Sequence, residues 1–156
     1  MGEIEKKTVF YQATVSQKLV RLIEHNADEL TKNWLRDIKQ QTNLPTYRAF
    51  DEKELYHRAF RVYSQLGKWI SQETTKEEIR DYWTALGKQR RIEGFALSEI
   101  IQSLFFIRLH LWNKVQAEGL IDNVLDLYSA MELHNKVIIF FDRAVYYAAL
   151  GYEKKE

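Results

Sequence analysis

The stretch NVLDLYSAMELHNKVIIFFDRAVYYAALG, residues 123–151, decides the fold. Val124, Leu127, Met131, His134, Ile138, Phe141, Val145 and Ala148 recur at alternating steps of three and four, the spacing of a single stripe on a long helix. Unbroken, such a helix is about 40 Å long and needs packing partners along its length. The stretch is therefore expected to be both the packing centre of the domain and the element that leaves it.

Working outward, the chain divides into four earlier helical segments. The first covers residues 14–41, with Val15, Leu19, Leu22, Ala27, Leu30, Trp34 and Ile38 on one face. The single proline, Pro45, lies in the polar stretch 42–50 and should turn the chain. Asp51 can cap a second helix over 52–72, whose stripe is Leu55, Ala59, Val62, Leu66 and Trp69. Thr74 with Glu77, or Thr75 with Glu78, fits a capping box that starts a third. That helix carries Ile79, Trp83 and Leu86 and stops near Gly94, where glycine can take the left-handed conformation. A fourth begins at Leu97 or Ser98 and runs to about Glu118, with the stripe Leu97, Ile101, Leu104, Arg108, Leu111 and Val115. Long helices with short connections must bury these stripes against one another. The expected architecture is all-α, a four- or five-helix bundle with a long C-terminal helix. One domain spans 1–152, and 153–156 reads as the start of a linker or connector. No internal repeat or low-complexity tract is evident.

Composition agrees with a single packed domain. The 156 residues are 46% hydrophobic and include four Trp, nine Tyr and eight Phe, each of which needs an interior or an interface. With 23 basic and 22 acidic residues the formal charge is +1, so general attraction to nucleic acid or acidic membranes is not indicated. The run Lys88, Arg90, Arg91 reads as a solvated helix face. No apolar stretch is long enough for a transmembrane helix, since Val137 to Phe141 is followed at once by Asp142 and Arg143. The start MGEIEKK lacks a secretory core, and Lys6 occupies the position where a myristoylation signal carries Ser or Thr. The absence of cysteine removes disulfide and thiolate chemistry and suits the cytoplasm.

Catalytic patterns are missing: there is no glycine-rich phosphate loop, no GxSxG elbow and no HExxH. His25, His57, His110 and His134 are scattered one to a segment, and Glu54-Leu-Tyr-His57 is a lone match to the Glu-x-x-His spacing of di-iron bundles. His110, near Phe105, Phe106 and Trp112, is the position at which haem ligation would be considered, but aromatics at helical spacing usually build core. No cofactor, no metal and no enzymatic activity are expected. Arg108 and His134 are the candidate ligand-binding residues, because a guanidinium or imidazole on an apolar stripe needs an acceptor. Together they would line a pocket between the fourth and fifth helices for a small anionic or polar ligand, with a proton-sensitive role for His134 as a variant. Tyr146, Tyr147, Leu150 and Tyr152 offer aromatic surface at the exit for a dimer partner or an attached output domain.

Trp34, the segment Arg91-Ile-Glu-Gly94-Phe-Ala-Leu97 leading into Ile101 to Trp112, and the closing Phe141-Asp-Arg-Ala-Val-Tyr-Tyr-Ala-Ala-Leu-Gly-Tyr152 together resemble the N-terminal domain of the RsbT co-antagonist proteins RsbRD. The resemblance runs from about Leu19 to Tyr152. It implies an all-helical sensory or regulatory module placed ahead of signalling domains in stressosome proteins and some histidine kinases, in a cytoplasmic bacterial pathway, without phosphotransfer of its own. It carries no shared ligand site over to these residues. His134 lacks the setting of a phosphoaccepting histidine. A non-catalytic adaptor or dimerisation domain without a pocket is the alternative expectation.

Overall fold

The computed structural model describes residues 15–71, 73–119 and 121–154; Thr14, Gln72 and the amino-terminal positions considered above lie outside them. The described residues are all-helical: α1 (Val15–His25), α2 (Ala27–Gln40), α3 (Pro45–Ala49), α4 (Glu52–Ser64), α5 (Leu66–Ile70), α6 (Lys76–Ile92), α7 (Leu97–Glu118) and the long α8 (Val124–Glu153). The five expected segments are present, with two subdivided. The first breaks at Asn26, whose Nδ2 donates to the Leu22 carbonyl, and the second breaks at Gln65. Pro45 stands at the start of the short α3, where its missing N–H costs nothing. Thr75 is the cap of α6, in a reciprocal box with Glu78. Asp51 and Asn123 cap α4 and α8, and Gly119 ends α7 with φ +61°. Among the described residues no helix is long and apolar enough to cross a membrane.

α7 is the central strut. Trp34 Nε1 donates to the Ser103 carbonyl at 3.1 Å, Tyr63 Oη to the Ile107 carbonyl at 2.8 Å, and Tyr47 Oη to Ser103 Oγ at 2.8 Å. Three aromatic side chains thus bury their rings and still satisfy their polar tips on one helix. Burial pushes the phenols of Tyr47 and Tyr63 above the ordinary tyrosine value.

α6 and α8 lie side by side and point the same way. Gly87 faces Ala148 and Gly151 faces Thr84, while further along both helices Arg91 Nη1 donates to the Tyr152 carbonyl at 2.8 Å. Tyr152 Oη in turn donates to the Phe95 carbonyl at 2.8 Å. A methyl group placed on Gly87 would sit 1.9 Å from the Ala148 carbonyl oxygen, and one on Gly151 would sit 1.9 Å from that of Thr84. The two contacts are mirror copies across a pseudo-dyad. They rest on a short repeat that sequence inspection overlooks, Tyr82-Trp-Thr-Ala-Leu-Gly87 against Tyr146-Tyr-Ala-Ala-Leu-Gly151. Small residues at this spacing let two backbones touch.

The stripe expected on α8 is displaced in part, although Phe141 and Ala148 are buried as expected. Its buried face is Ala130, Leu133, Val137, Phe140, Phe141, Ala144, Ala148 and Gly151, whereas Val124, Leu127, Met131 and His134 are exposed. Near the C-terminus of α8 the inner face carries Ala148 and Gly151, which admit the close approach to α6, whereas Leu133, Val137, Phe140 and Phe141 fill it nearer the middle of the helix. Arg108 is similarly displaced to the flank of α7, whose buried face is formed by Glu99, Ile100, Ser103, Leu104, Ile107, Leu111 and Val115.

Candidate functional site

Two of the three residues of the basic run, Lys88 and Arg91, are exposed as expected, but Arg90 is buried. It sits one turn before the C-terminus of α6 and faces inward toward α4. There Arg58 meets Glu93 in a two-pronged ion pair, Nη1 to Oε1 at 3.0 Å and Nη2 to Oε2 at 2.6 Å. Arg90 Nη1 reaches Glu93 Oε1 at 3.2 Å, and Arg58 Nε also reaches Glu54 at 3.1 Å. Burial and then the neighbouring Arg58 charge lower the proton affinity of Arg90. For Glu93, burial favours the neutral acid, but the hydrogen bonds and charge of Arg58, then the charge of Arg90, outweigh it and hold the carboxyl below its ordinary value. Arg58 is also desolvated, and its Glu93 contacts outweigh that, so its value is raised.

Arg58 and Arg90 line one edge of a small, partly open pocket of about 50 Å³, walled also by Trp34, Tyr47, Leu55, Trp83, Ile100 and Ile107 among others. Trp83 is 1% exposed, and its Nε1–H has no hydrogen-bond partner. A buried donor without an acceptor is costly, on the order of 1–3 kcal/mol. Outside the arginines lies an open cleft of about 480 Å³ lined by Glu54, His57, Arg61, Ala85 and Gln89, which shares Arg58, Tyr82, Leu86 and Arg90 with the pocket. A mostly apolar pocket and a more open outer cleft thus adjoin at Arg58 and Arg90, the doorway between them. The side chains have the chemistry to bind an acceptor or anionic group at the doorway and an apolar body within.

The doorway makes a pH prediction. Because the Glu93 value is lowered in the folded chain, its stabilisation is present above its ordinary value of 4.5 and is lost as pH falls through the lowered one. Glu93→Gln is therefore expected to cost about 2 kcal/mol at pH 7, since it leaves buried Arg90 without its carboxylate partner and Arg58 with Glu54 alone. The gap from the parent protein should close as the pH of both is lowered through the depressed Glu93 value. Urea unfolding at a series of pH values measures it, and a gap that stays constant into acid would contradict the assignment.

The residues singled out from sequence fall elsewhere. Arg108 stacks over Phe105, with Cζ 5.1 Å from the ring centroid, and lines an outer groove with Gln102, Phe106, Leu109 and Trp112. His134 is exposed, with its ring 4.7 Å from that of Trp112. The inward placement expected for both is corrected accordingly: Arg108 is on a flank of α7 and His134 faces outward. His110 makes a 2.7 Å contact with Asp37, and among the described residues no three His, Asp or Glu side chains converge to hold a metal ion. Of the exit residues, Tyr146 is exposed, while Tyr147 and Tyr152 pack against the core and Leu150 is half-buried. Sequence reasoning missed Arg90 and Trp83 as a pair. The available signal was their i, i+7 spacing, which puts an arginine on the same face as a tryptophan already assigned to the core. Comparison of the chain with family models, curated proteins and solved structures gave no match.

Proposed function

We propose that the chain is the sensory or regulatory module of a cytoplasmic bacterial signalling protein, reading a small ligand at the Arg58–Arg90 doorway and passing its occupancy to an attached output domain through α8. The resemblance to RsbRD amino-terminal domains supports the signalling context. The observation that carries the ligand reading is the partnerless Nε1–H of Trp83, a side chain that lines a small pocket beside Arg90, whose carboxylate partner Glu93 is shared with Arg58. A carboxylate or comparable acceptor on an apolar body would satisfy these donors and displace nothing already bonded.

The same residues connect to the exit. Arg90 lines the pocket and bonds Glu93, the next residues of the α6–α7 junction include Phe95, and the Phe95 carbonyl holds Tyr152 at the end of α8. A ligand that shifts the Arg90–Glu93 pair has a short mechanical route to α8, provided the junction has two packings of different ligand affinity. The pocket's small volume favours one second reading, an adaptor without a ligand, in which the doorway is only a structural ion-pair cluster.

Native mass spectrometry of the purified protein, compared with its denatured mass, separates the two. A retained small molecule is expected. In addition, hexanoate, benzoate and decanoate should each be titrated while tryptophan emission is followed. Saturable binding by at least one, weakened about tenfold or more by Arg90→Gln and by Trp83→Phe, supports the sensor. A clean mass and no saturable response to any of the three would leave the adaptor reading.

A further inference from the structure

The outward face of α8 from Val124 to Tyr146 is apolar where a solvated helix would be polar. Val124, Tyr128, Met131, Ile139 and Tyr146 are all exposed, with Val124 and Tyr128 at 67% and 68%. With Asn135 and Asp142 they fall on one stripe opposite the buried face, at steps of three and four. On α7, exposed Phe105 and Leu109 widen this face, and the Trp112–His134 ring contact joins the two helices. A contiguous apolar face of this extent marks an interaction surface.

We infer that this face pairs with the same face of a second copy, the two α8 helices lying antiparallel about a dyad at Asn135. The pattern is self-complementary in that register and in few others. Met131 of one copy meets Ile139 of the other, and Val124 meets Tyr146. Tyr128 meets Asp142, so a phenol that would otherwise be buried without a partner finds an acceptor. Charge follows the same dyad. Glu132 and Lys136 lie on one flank of the stripe and already approach each other at 3.7 Å within the helix. Across an antiparallel dyad that flank faces its own copy, so each Glu132 adjoins the other copy's Lys136. A parallel pairing would instead set Asp142 against Asp142 and would turn the Glu132–Lys136 flank toward the opposite flank of the other copy. The dimer face is thus the amino-terminal two-thirds of α8, while Tyr147 and Tyr152, once assigned to an exit interface, serve the interior. The inference does not depend on a ligand in the pocket.

The chain contains no cysteine, so single cysteines report the geometry without background. Light scattering across a concentration series should give a dimer, and Met131→Glu should give a monomer with an unchanged helical circular dichroism spectrum, because the side chain it replaces is exposed. Under mild oxidation Asn135→Cys should cross-link into a covalent dimer. Val124→Cys and Tyr146→Cys should each fail alone and cross-link when the two variants are mixed. Glu132→Lys should weaken dimerisation about three- to tenfold, and the swap Glu132→Lys with Lys136→Glu should restore it. A monomer at every concentration would overturn the proposal and leave the face to a different protein. Self-cross-linking of both Val124→Cys and Tyr146→Cys would overturn the antiparallel register.

Discussion

Gly151→Ala is expected to lower the unfolding free energy by about 3 kcal/mol or more, and the melting temperature by roughly 6–12 °C for a chain of this size. The added methyl carbon would lie 1.9 Å from the Thr84 carbonyl oxygen, 2.7 Å from its carbon and 3.0 Å from its Cα. All three are backbone atoms of a packed helix, so no side-chain rotation relieves the overlap and α6 and α8 must separate. Gly87→Ala should behave alike against Ala148. Gly119→Ala is the control. It has open space around it and a φ of +61°, so only the left-handed strain applies, about 1 kcal/mol. Thermal melts of the three variants decide the matter: equal losses would show that the two backbones do not touch.

The second large effect belongs to Glu99, 4% exposed at the start of α7. One carboxyl oxygen accepts from the Ala96 N–H at 3.1 Å and from Thr46 Oγ1 at 2.7 Å, and the other accepts from the Thr46 N–H at 2.9 Å. A single side chain therefore serves its own helix start and that of α3, 53 residues away in sequence. Glu99→Ala strands two backbone donors and a hydroxyl, and is expected to cost about 3 kcal/mol. Glu99→Gln keeps one accepting oxygen and should lose about half as much. A double-mutant cycle with Thr46→Val should show coupling of roughly 1 kcal/mol or more. Additive losses would mean that α3 is held some other way.

Much of the architecture was legible because turn and cap chemistry is local. Pro45, Asp51, the Thr75–Glu78 box and Gly94 each act within four residues, and each marks a boundary in the folded chain. The orientation of α8 was not legible, for a physical reason. Its sequence is apolar on nearly every side, so two three-and-four stripes compete, and residue size favours the wrong one. Met131 and Leu127 look like core, but Leu133 and Val137 are buried in their place, and Gly151 is what lets α6 approach beside Ala148. The same misplacement moved attention to His134 and Arg108. The doorway was hidden for a different cause, since Arg58, Arg90 and Glu93 come from two distant segments and their charges read as solvent-facing until α4 and α6 are brought together.

Helices that run the same way cannot be joined by a tight turn. Between Gly87 and Ala148 the chain must first travel back along α7 before α8 can return beside α6. Pairs close in sequence, such as α2 with α4, can dock early, whereas the two-glycine seam closes a loop of some sixty residues and must wait for the strut that carries the chain home. This backbone-to-backbone contact is thereby expected to be among the last to form. A fault in it would leave the pace of folding nearly intact and show instead as a shortened lifetime of the native state.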